Sequence, residues 1–449
     1  MRRLLAVGLA PIVVLSTAGP AHAEPDAAVT SRVSVATDGG QGDKKSQNPA
    51  LSADGRYVAF DSEATLVPGD TNDDYDVFVR DRLTGTTTRV SVASDGSQGT
   101  AVGEEFPHPY SSSPSISADG RYVAFTSNAT NLVPGDTNTA ADVFVHDRQT
   151  GTTSRVSVAT GGGQVRGGGF YASISADGRY VTFVSDAADL VPGDTNQRRD
   201  VFRHDRETGL TTRISVSTAG GQSNGSSDYS EPVMSADGRF VAFRSWATNL
   251  VPGDTNQVSD VFLRDTQQGT TTRISVASDG TEANELSYEP SISADGRYVA
   301  YGSGASNLVP GDGNHAADIF RYDRLTGTTI RISPAAATFE HDLPDGAKLS
   351  AISRDGRHVA YSSDALDIVP DDTNRSVDVF VHDVATGVTK RVSRTATGAQ
   401  AANWSRYFSW SSRVAMSADG QYFAYDSGAT DLVDTDTNGV WDVFVSSRP

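Results

Sequence analysis

The sequence predicts an all-β fold, a seven-bladed β-propeller of four-stranded blades that is closed by an N-terminal strand. Three observations support this prediction. A short turn signal recurs seven times along the chain, strand-like segments surround each copy, and the two ends of the chain carry complementary parts of one repeat unit.

The recurring signal is the tetrapeptide Ser-Ala-Asp-Gly or a variant that differs by one residue. Its aspartates are Asp54, Asp119, Asp177, Asp237, Asp295, Asp355 and Asp419. Successive aspartates are 58 to 65 residues apart. A nearly fixed period of this size is typical of propellers and other repeat architectures.

One unit contains four strand-like segments. In the second unit these are "SPSIS" from residue 113, "RYVAFTS" from 121, "DVFVHD" from 142 and "TTSRVSV" from 152. A tight "ADG" turn joins the first two, and the loop "NATNLVPGDTNTAA" joins the middle two. The middle segments are apolar on both faces, as expected of strands that lie between two neighbouring blades.

The ends of the chain complete each other. The seventh unit stops at "DVFVSSRP", residues 442–449, without a fourth strand, whereas residues 30–35, "TSRVSV", match a fourth strand with no unit of their own. Pairing them would close the ring and remove two exposed sheet edges. We therefore expect one propeller domain over residues 30–449, preceded by a short lead at 24–29.

Residues 1–23 have the pattern of a secretory signal peptide. A basic start at Arg2 and Arg3 precedes a short apolar run, and Ala21-His22-Ala23 fits a cleavage site after Ala23. We expect a secreted protein, extracellular or periplasmic. No later apolar stretch is long enough to predict a membrane span.

The charge and the cysteine content of the chain exclude several kinds of partner and anchor. The formal net charge is −19, and it becomes −21 once Arg2 and Arg3 are removed with the signal. Such a surface repels nucleic acid, so no nucleic-acid partner is expected. The chain has no cysteine, so neither disulfides nor a lipid anchor on cysteine can contribute. We expect a monomer.

The line "SADGRYVAF…DVFVRD" resembles the TolB-like β-propeller repeats, a WD-like repeat family in which Ser-Pro-Asp-Gly and Asp-Ile-Tyr-Val are usual. The resemblance covers nearly all of residues 30–449 and implies a scaffold for binding. The chain departs from the family pattern by placing Ala53, Ala118 or Ala176 where proline is usual, and by having seven units where six are frequent.

The sequence gives only weak indications of catalytic residues. No Gly-x-Ser-x-Gly elbow stands between a strand and a helix, and His146, His204 and His382 share one repeat position that we interpret as a solvated strand end. Glu231 and Glu289 each precede the proline of an innermost strand, where two acidic groups could serve a glycosidase or a binding rim.

The connections between blades are long and differ from one another. Those near residues 281–289 and 397–412 carry Tyr288, Trp404, Tyr407 and Trp410. Diverse loops on a repeated frame are where binding sites usually lie, so these side chains and the two glutamates are candidate ligand contacts. The alternative is that the rings plug the mouth of the channel.

The loop before each third strand carries Asp-x-Asn-x-x-x-Asp. Two carboxylates and an amide oxygen are ligands that calcium prefers, whereas the spacing is not that of an EF-hand. The alternative is that these side chains cap their own turn. The candidate calcium ligands are Asp70, Asn72, Asp76, Asp136, Asn138, Asp142, Asp194, Asn196, Asp200, Asp254, Asn256, Asp260, Asp312, Asn314, Asp318, Asp372, Asn374, Asp378, Asp436, Asn438 and Asp442.

Taken together, these patterns favour a secreted scaffold or binding module for an extracellular protein or glycan, without catalysis and with calcium as its one candidate cofactor. The alternative is an extracellular enzyme, a polysaccharide lyase or hydrolase or a relative of the peptidases, that acts at the channel mouth.

Overall fold

The structure is a computed structural model, and it describes residues 30–100, 108–227, 230–334, 347–374, 376–401 and 413–449. Within these ranges the chain forms 28 strands in seven four-stranded antiparallel sheets. The predicted signal peptide, the lead at 24–29 and Trp404, Tyr407 and Trp410 lie outside the described residues.

Each of the first four blades runs through four consecutive strands. Blade 1 comprises β2 (Ser46–Leu51), β3 (Tyr57–Ser62), β4 (Asp76–Asp81) and β5 (Thr86–Arg89). Blade 2 comprises β6 (Ser111–Ile116), β7 (Tyr122–Ser127), β8 (Asp142–Asp147) and β9 (Thr152–Arg155). Blade 3 comprises β10 (Phe170–Ile174), β11 (Tyr180–Ser185), β12 (Asp200–Asp205) and β13 (Leu210–Arg213). Blade 4 comprises β14 (Val233–Met234), β15 (Phe240–Ser245), β16 (Asp260–Asp265) and β17 (Thr270–Arg273).

Blades 5 and 6 repeat the plan, and blade 7 borrows its outer strand from the start of the domain. Blade 5 comprises β18 (Ser287–Ile292), β19 (Tyr298–Ser303), β20 (Asp318–Asp323) and β21 (Thr328–Arg331). Blade 6 comprises β22 (Ala347–Ile352), β23 (His358–Ser363), β24 (Asp378–Asp383) and β25 (Val388–Arg391). Blade 7 comprises β26 (Val414–Met416), β27 (Tyr422–Ser427), β28 (Asp442–Ser447) and β1 (Thr30–Arg32).

The predicted fold class and closure are confirmed. Strand β1 pairs antiparallel with β28, with Thr30 opposite Ser446 and Arg32 opposite Phe444. The innermost strands β2, β6, β10, β14, β18, β22 and β26 each contact the next one, and β26 contacts β2. We call the space that they enclose the channel.

The core lies between the blades. Each blade contributes an aromatic pair from its second and third strands, stacked in six blades and tilted in blade 6; Phe125 and Phe144 have ring centroids 5.9 Å apart. Both rings are fully buried. Burial on both faces of the middle strands explains why their sequences do not alternate between polar and apolar residues.

The Ser-Ala-Asp-Gly turn is held by its own side chains. In blade 2, Ser117 Oγ donates to Asp119 Oδ1 at 2.6 Å and accepts the Tyr122 backbone N–H at 2.9 Å. Gly120 has a φ of 72°, and a Cβ there would lie 2.1 Å from Cδ2 of Tyr57 in blade 1. The turn therefore needs glycine for its backbone and for its contact with the preceding blade.

Backbone hydrogen bonds join the seven turns into a closed ring, which we call the turn belt. In each, the residue after the serine donates its N–H to the equivalent carbonyl of the next blade, over 2.9 to 3.1 Å. The members in order are Ala53, Ala118, Ala176, Ala236, Ala294, Arg354 and Ala418, whose N–H returns to Ala53. Proline, usual here in the resembled family, has no N–H and could not donate.

We call the end of the propeller that carries these turns the turn face. Arginine side chains on this face form a second link between neighbouring blades. Tyr57 lies between two guanidinium groups, that of Arg56 at 4.7 Å and that of Arg148 from blade 2 at 4.4 Å from the ring centroid. Arg56 also contacts Asp81 at 2.7 Å. Each such cation–π contact contributes about 0.5–1 kcal/mol at partly exposed sites.

The interpretation of the strand-end histidines as solvated is wrong for His146 and His204, whereas His382 is half-buried. His146 and His204 are each 6% exposed. Their Nδ1 atoms lie 2.9 Å from the hydroxyls of Thr153 and Thr211 on the adjacent fourth strand. Burial lowers the pKa of both imidazoles. The fourth strand pairs directly with this position, with His146 opposite Thr153, and so shields the ring from solvent.

The ranges described above include no helix that is long and apolar enough to cross a membrane.

Candidate functional site on the loop face

The Asp-x-Asn-x-x-x-Asp loops lie at the end of the propeller opposite the Ser-Ala-Asp-Gly turns, and we call this end the loop face. The strand register requires this, because Ser127 at the end of β7 pairs with both Ser111 and Asp142, at the starts of β6 and β8. The connections between blades also begin and end on this face.

An arginine occupies the space between the two loop carboxylates. In blade 2, Arg155 Nη1 lies 2.9 Å from Asp136 Oδ1 and 3.1 Å from Asp142 Oδ2. Asn138 Nδ2 donates to Asp142 Oδ2 at 3.3 Å, and Ser157 Oγ donates to Asp142 Oδ1. The loop and the fourth strand thus form one buried polar cluster.

The same cluster recurs in every blade. The guanidinium lies 2.8 to 3.6 Å from the first and the last aspartate of its own loop, and the asparagine donates to the last one. The arginines are Arg32, Arg89, Arg155, Arg213, Arg273, Arg331 and Arg391. Each begins an Arg-Val-Ser or Arg-Ile-Ser tripeptide, a seven-fold signal that the sequence analysis did not use.

Each cluster holds at least two carboxylates against one guanidinium, with Glu282 as a third on Arg273. Burial and this excess of negative charge shift the pKa values of several of the aspartates. Burial and then the neighbouring Asp142 carboxylate raise the pKa of Asp136 to about 6, against the opposing effect of Arg155. Burial likewise raises the pKa of Asp378 to about 7. Protonation, or a second cation, would relieve the excess negative charge.

This geometry accounts for the loop motif through side-chain hydrogen bonds and ion pairs. Among the described residues, no group of three or more histidine, aspartate or glutamate side chains is arranged to hold a metal ion. Calcium ligation by the candidate aspartates and asparagines stays a prediction, and a calcium ion would have to compete with the arginine.

A second candidate region is the ring of residues at the start of the innermost strands. Here the strands carry a register shift, for example between Gln47 and Ala50 in β2 and between Tyr288 and Ser291 in β18. At the shift, Asn48, Ser113, Tyr171 and Glu289 have φ values of 48° to 56°. A bulge of this kind re-aims side chains, and it is frequent beside functional sites.

Glu231 occupies this ring position in blade 4, and Arg413 occupies it in blade 7. Arg413 Nη1 lies 2.6 Å from Glu231 Oε2, and the side chains are 22% and 19% exposed. Blades 4 and 7 are as far apart as a seven-membered ring allows, so this ion pair bridges the channel. Burial raises the pKa of Glu231, and Arg413 opposes the rise. Glu289 is half-buried in blade 5 and has a contact of its own.

Two buried aspartates, which sequence reasoning missed, stand beside this pair on the second strands of blades 1 and 7. Asp61 is fully buried and accepts from Asn48 Nδ2 at 3.3 Å and from the Ser113 N–H at 3.2 Å. Asp426 is 1% exposed, accepts the Arg413 N–H at 3.2 Å through Oδ1, and has no hydrogen-bond partner at Oδ2. Burial raises their pKa values to about 6 and about 7.

Four aromatic residues lie at strand ends on the loop face. The backbone carbonyls of Tyr75 and Trp441 accept from the first residues of the next innermost strands, which places both residues on the loop face beside an innermost strand. Trp246 is 42% exposed, with the Arg244 guanidinium 5.4 Å from its ring centroid. Tyr288 is half-buried at the start of β18, beside Glu289.

No protein-family model matches the chain, and a search of curated proteins gives no match. Solved structures do share its fold. An oligogalacturonate lyase in complex with manganese superposes with a TM-score of 0.56 at 14% identity, over 94% of this chain and 93% of that one. This likeness shows the β-propeller fold alone.

Two further solved structures are more distant. The β-propeller domain of the Trilobed protease from Pyrococcus furiosus has a TM-score of 0.49 at 11% identity, over 90% of this chain and 93% of that one. TolB from Acinetobacter baumannii has a TM-score of 0.38 at 16% identity, over 69% of this chain and 60% of that one. Membership of the TolB-like repeats therefore stays a prediction.

Proposed function

We propose that this chain is a secreted binding module that holds an extracellular protein or glycan at the channel mouth on its loop face and performs no catalysis. The observation that carries the proposal is the half-buried Arg413–Glu231 pair in the channel, together with the aromatic residues Trp246, Tyr288 and Trp441 on the loop face. A recessed polar pair with aromatic surroundings is the usual composition of a ligand site.

The rigidity of the frame supports this proposal. The turn belt and the seven arginine clusters fix the blades, so the loops between blades can vary without loss of the fold. The loop that contains Trp404, Tyr407 and Trp410 begins and ends on the same face, since it joins β25 to β26. Aromatic side chains contribute much of the binding energy at protein interfaces.

Retention experiments test the binding role. The protein is immobilised and exposed to culture supernatant and to a glycan array, and the triple variant Trp404→Ala, Tyr407→Ala, Trp410→Ala is compared with the parent. We expect the variant to lose retention at an unchanged melting temperature. A lowered melting temperature would instead identify the three rings as a structural plug, and equal retention would place the site elsewhere.

Secretion is part of the proposal and rests on residues 1–23. Expression of the full chain in a secreting host should yield a mature protein that begins at Glu24. N-terminal sequencing of the supernatant protein measures this directly, and an uncleaved cytoplasmic product would contradict it.

An extracellular enzyme is the alternative, and one observation favours it. Asp61 and Asp426 are two buried carboxyl groups beside the channel, and burial raises their pKa values towards neutrality, which is where the pKa of a general acid or base is most effective. The same fold also occurs in an oligogalacturonate lyase. Incubation of the purified protein with polysaccharides and peptides, followed by product analysis, distinguishes turnover from binding.

A further inference from the structure

The Arg413–Glu231 pair is accessible from the channel, and its two side chains retain hydrogen-bonding capacity beyond the ion pair. Among the described residues, Glu231 is the one side chain that forms an ion pair with the Arg413 guanidinium, and its nearest approach is Nη1 to Oε2 at 2.6 Å. A guanidinium carries five N–H donors in a planar fork, and a carboxylate has two acceptor oxygens. A ligand in the channel can therefore add hydrogen bonds to both side chains while the ion pair persists.

The charges around the pair select against an anionic ligand. A ligand carboxylate that took the fork of Arg413 would leave Glu231 unpaired in a largely desolvated position. Asp61 and Asp426, which ionise near neutral pH, add acidic groups beside Arg413, whereas the equivalent position in the blade of Glu231 carries Arg244, and the chain as a whole is strongly acidic. A cationic ligand would leave Arg413 unpaired in the same way.

A neutral ligand avoids both penalties if it offers donors and acceptors on adjacent atoms. Vicinal hydroxyls do this, since one oxygen can accept from Arg413 while its neighbour donates to Glu231. Tyr171 stands half-buried at the same ring position of blade 3, the blade beside that of Glu231, and Trp246 is exposed at the loop-face end of β15, the strand that follows Glu231 in blade 4. Apolar ring surface beside a few convergent polar groups is the environment in which a sugar ring is buried.

We propose that Arg413 and Glu231 together bind the vicinal hydroxyls of a sugar at the end of a neutral glycan. This inference rests on the proposed binding function, and of the two ligand classes proposed there, protein and glycan, it selects a neutral glycan. The Arg413–Glu231 ion pair stays intact in the complex, and the planar guanidinium of Arg413 sets the orientation of the sugar.

Titration calorimetry tests the proposal with neutral hexasaccharides of glucose, xylose and mannose and with a galacturonate hexamer as the acidic counterpart. We expect the parent to bind a neutral hexasaccharide and not the galacturonate. Arg413→Gln should weaken neutral binding by about tenfold or more, because the fork is lost. Arg413→Lys, which retains the charge, should weaken it similarly and serves if the glutamine variant folds poorly.

Glu231→Gln gives the sharper result. It removes the counter-charge and leaves Arg413 unpaired, so the variant should gain affinity for the galacturonate hexamer that the parent lacks. Arg357→Gln is the control, because it breaks an arginine–carboxylate pair with a similar N–O distance at the turn face, far from the channel mouth, and should change neither affinity.

The outcomes separate this inference from the proposed function. If the parent binds galacturonate as tightly as a neutral glycan, or if Arg413→Gln binds the neutral glycan unchanged, the assignment of the pair is overturned while glycan binding stands. If the parent retains a protein from the supernatant and no glycan, the neutral-glycan inference fails while the binding module stands. If it retains neither, both fail.

Discussion

Arg155→Met tests whether the guanidinium holds the loop to the fourth strand. The substitution preserves an unbranched side chain and removes the charge between Asp136 and Asp142, whose side chains are 2% and 1% exposed. Removal of one partner from a buried ion pair typically costs about 3–5 kcal/mol. With about 2.1 cal/mol/K of unfolding entropy per residue over ~420 residues, this corresponds to a fall of about 3–6 °C in melting temperature.

The loss should depend on pH with a defined sign. The pKa of Asp136 is already raised to about 6, and removal of Arg155 would raise it further. The folded variant then holds protons that its unfolded chain releases, so its stability relative to the parent falls as pH rises. The difference in unfolding free energy between parent and variant changes by at most about 1.4 kcal/mol per pH unit for the single carboxyl group of Asp136. This difference should therefore be larger at pH 8 than at pH 6.

Thermal unfolding followed by circular dichroism measures the effect at both pH values. Arg357→Met is the control, because the Arg357 side chain is 47% exposed and exposed ion pairs contribute about 0–1 kcal/mol. If Arg155→Met melts like the parent at pH 8, the clusters contribute no stability and the reasoning is refuted. Calcium should rescue Arg155→Met at pH 8 if the arginine occupies a position that a cation can take.

Four further outcomes are expected. The parent should melt several degrees higher in about 5–10 mM calcium than in chelator if the loops bind calcium, with magnesium as the control, whereas identical curves would leave the arginine clusters as the full account of the motif. Deletion of residues 24–36 exposes one edge of blade 7 and apolar surface worth about 25 cal/mol per Å², so soluble yield or melting temperature should fall sharply; a parent-like variant would contradict the closure seen at β1. Ala118→Pro removes the N–H that donates to Ala176 and should cost about 1–3 kcal/mol in chemical denaturation, while Ala118→Ser, which keeps the N–H, should cost much less. Burial raises the pKa values of Asp378 and Asp426 to about 7 from 3.8, so the unfolding free energy should decrease between pH 5 and pH 8, and a flat profile would show that these groups titrate normally.

The sequence predicted the parts of the fold that repeat. Seven turn signals fixed the number of blades, and the matching ends at residues 30–35 and 442–449 predicted the closure. The arginine clusters were also accessible, because an arginine stands at the end of each fourth strand in phase with the loop motif. They were missed because the aspartates were considered within their own loop, whereas the partner is supplied by the neighbouring strand.

The candidate site could not be predicted in the same way, because it depends on where the blades differ. Glu231 and Arg413 stand at one repeat position in different blades, and only the ring geometry brings them into contact across the channel. Asp61 and Asp426 lie within strands that otherwise carry apolar residues or serine and threonine, so their sequence context gave no indication of a buried acid. Repeat periodicity describes what the blades share and is silent on such exceptions.

The turn belt has a consequence for how the chain can be rearranged. Its seven hydrogen bonds run head to tail in one rotational sense, so the cycle has neither a first nor a last member. Thr30 lies opposite Ser446, so a short linker could join the two ends of the domain and new termini could be opened in a loop between any two blades. Such circular permutants would keep every bond of the belt, and the position at which the chain begins is a matter of gene order rather than of architecture.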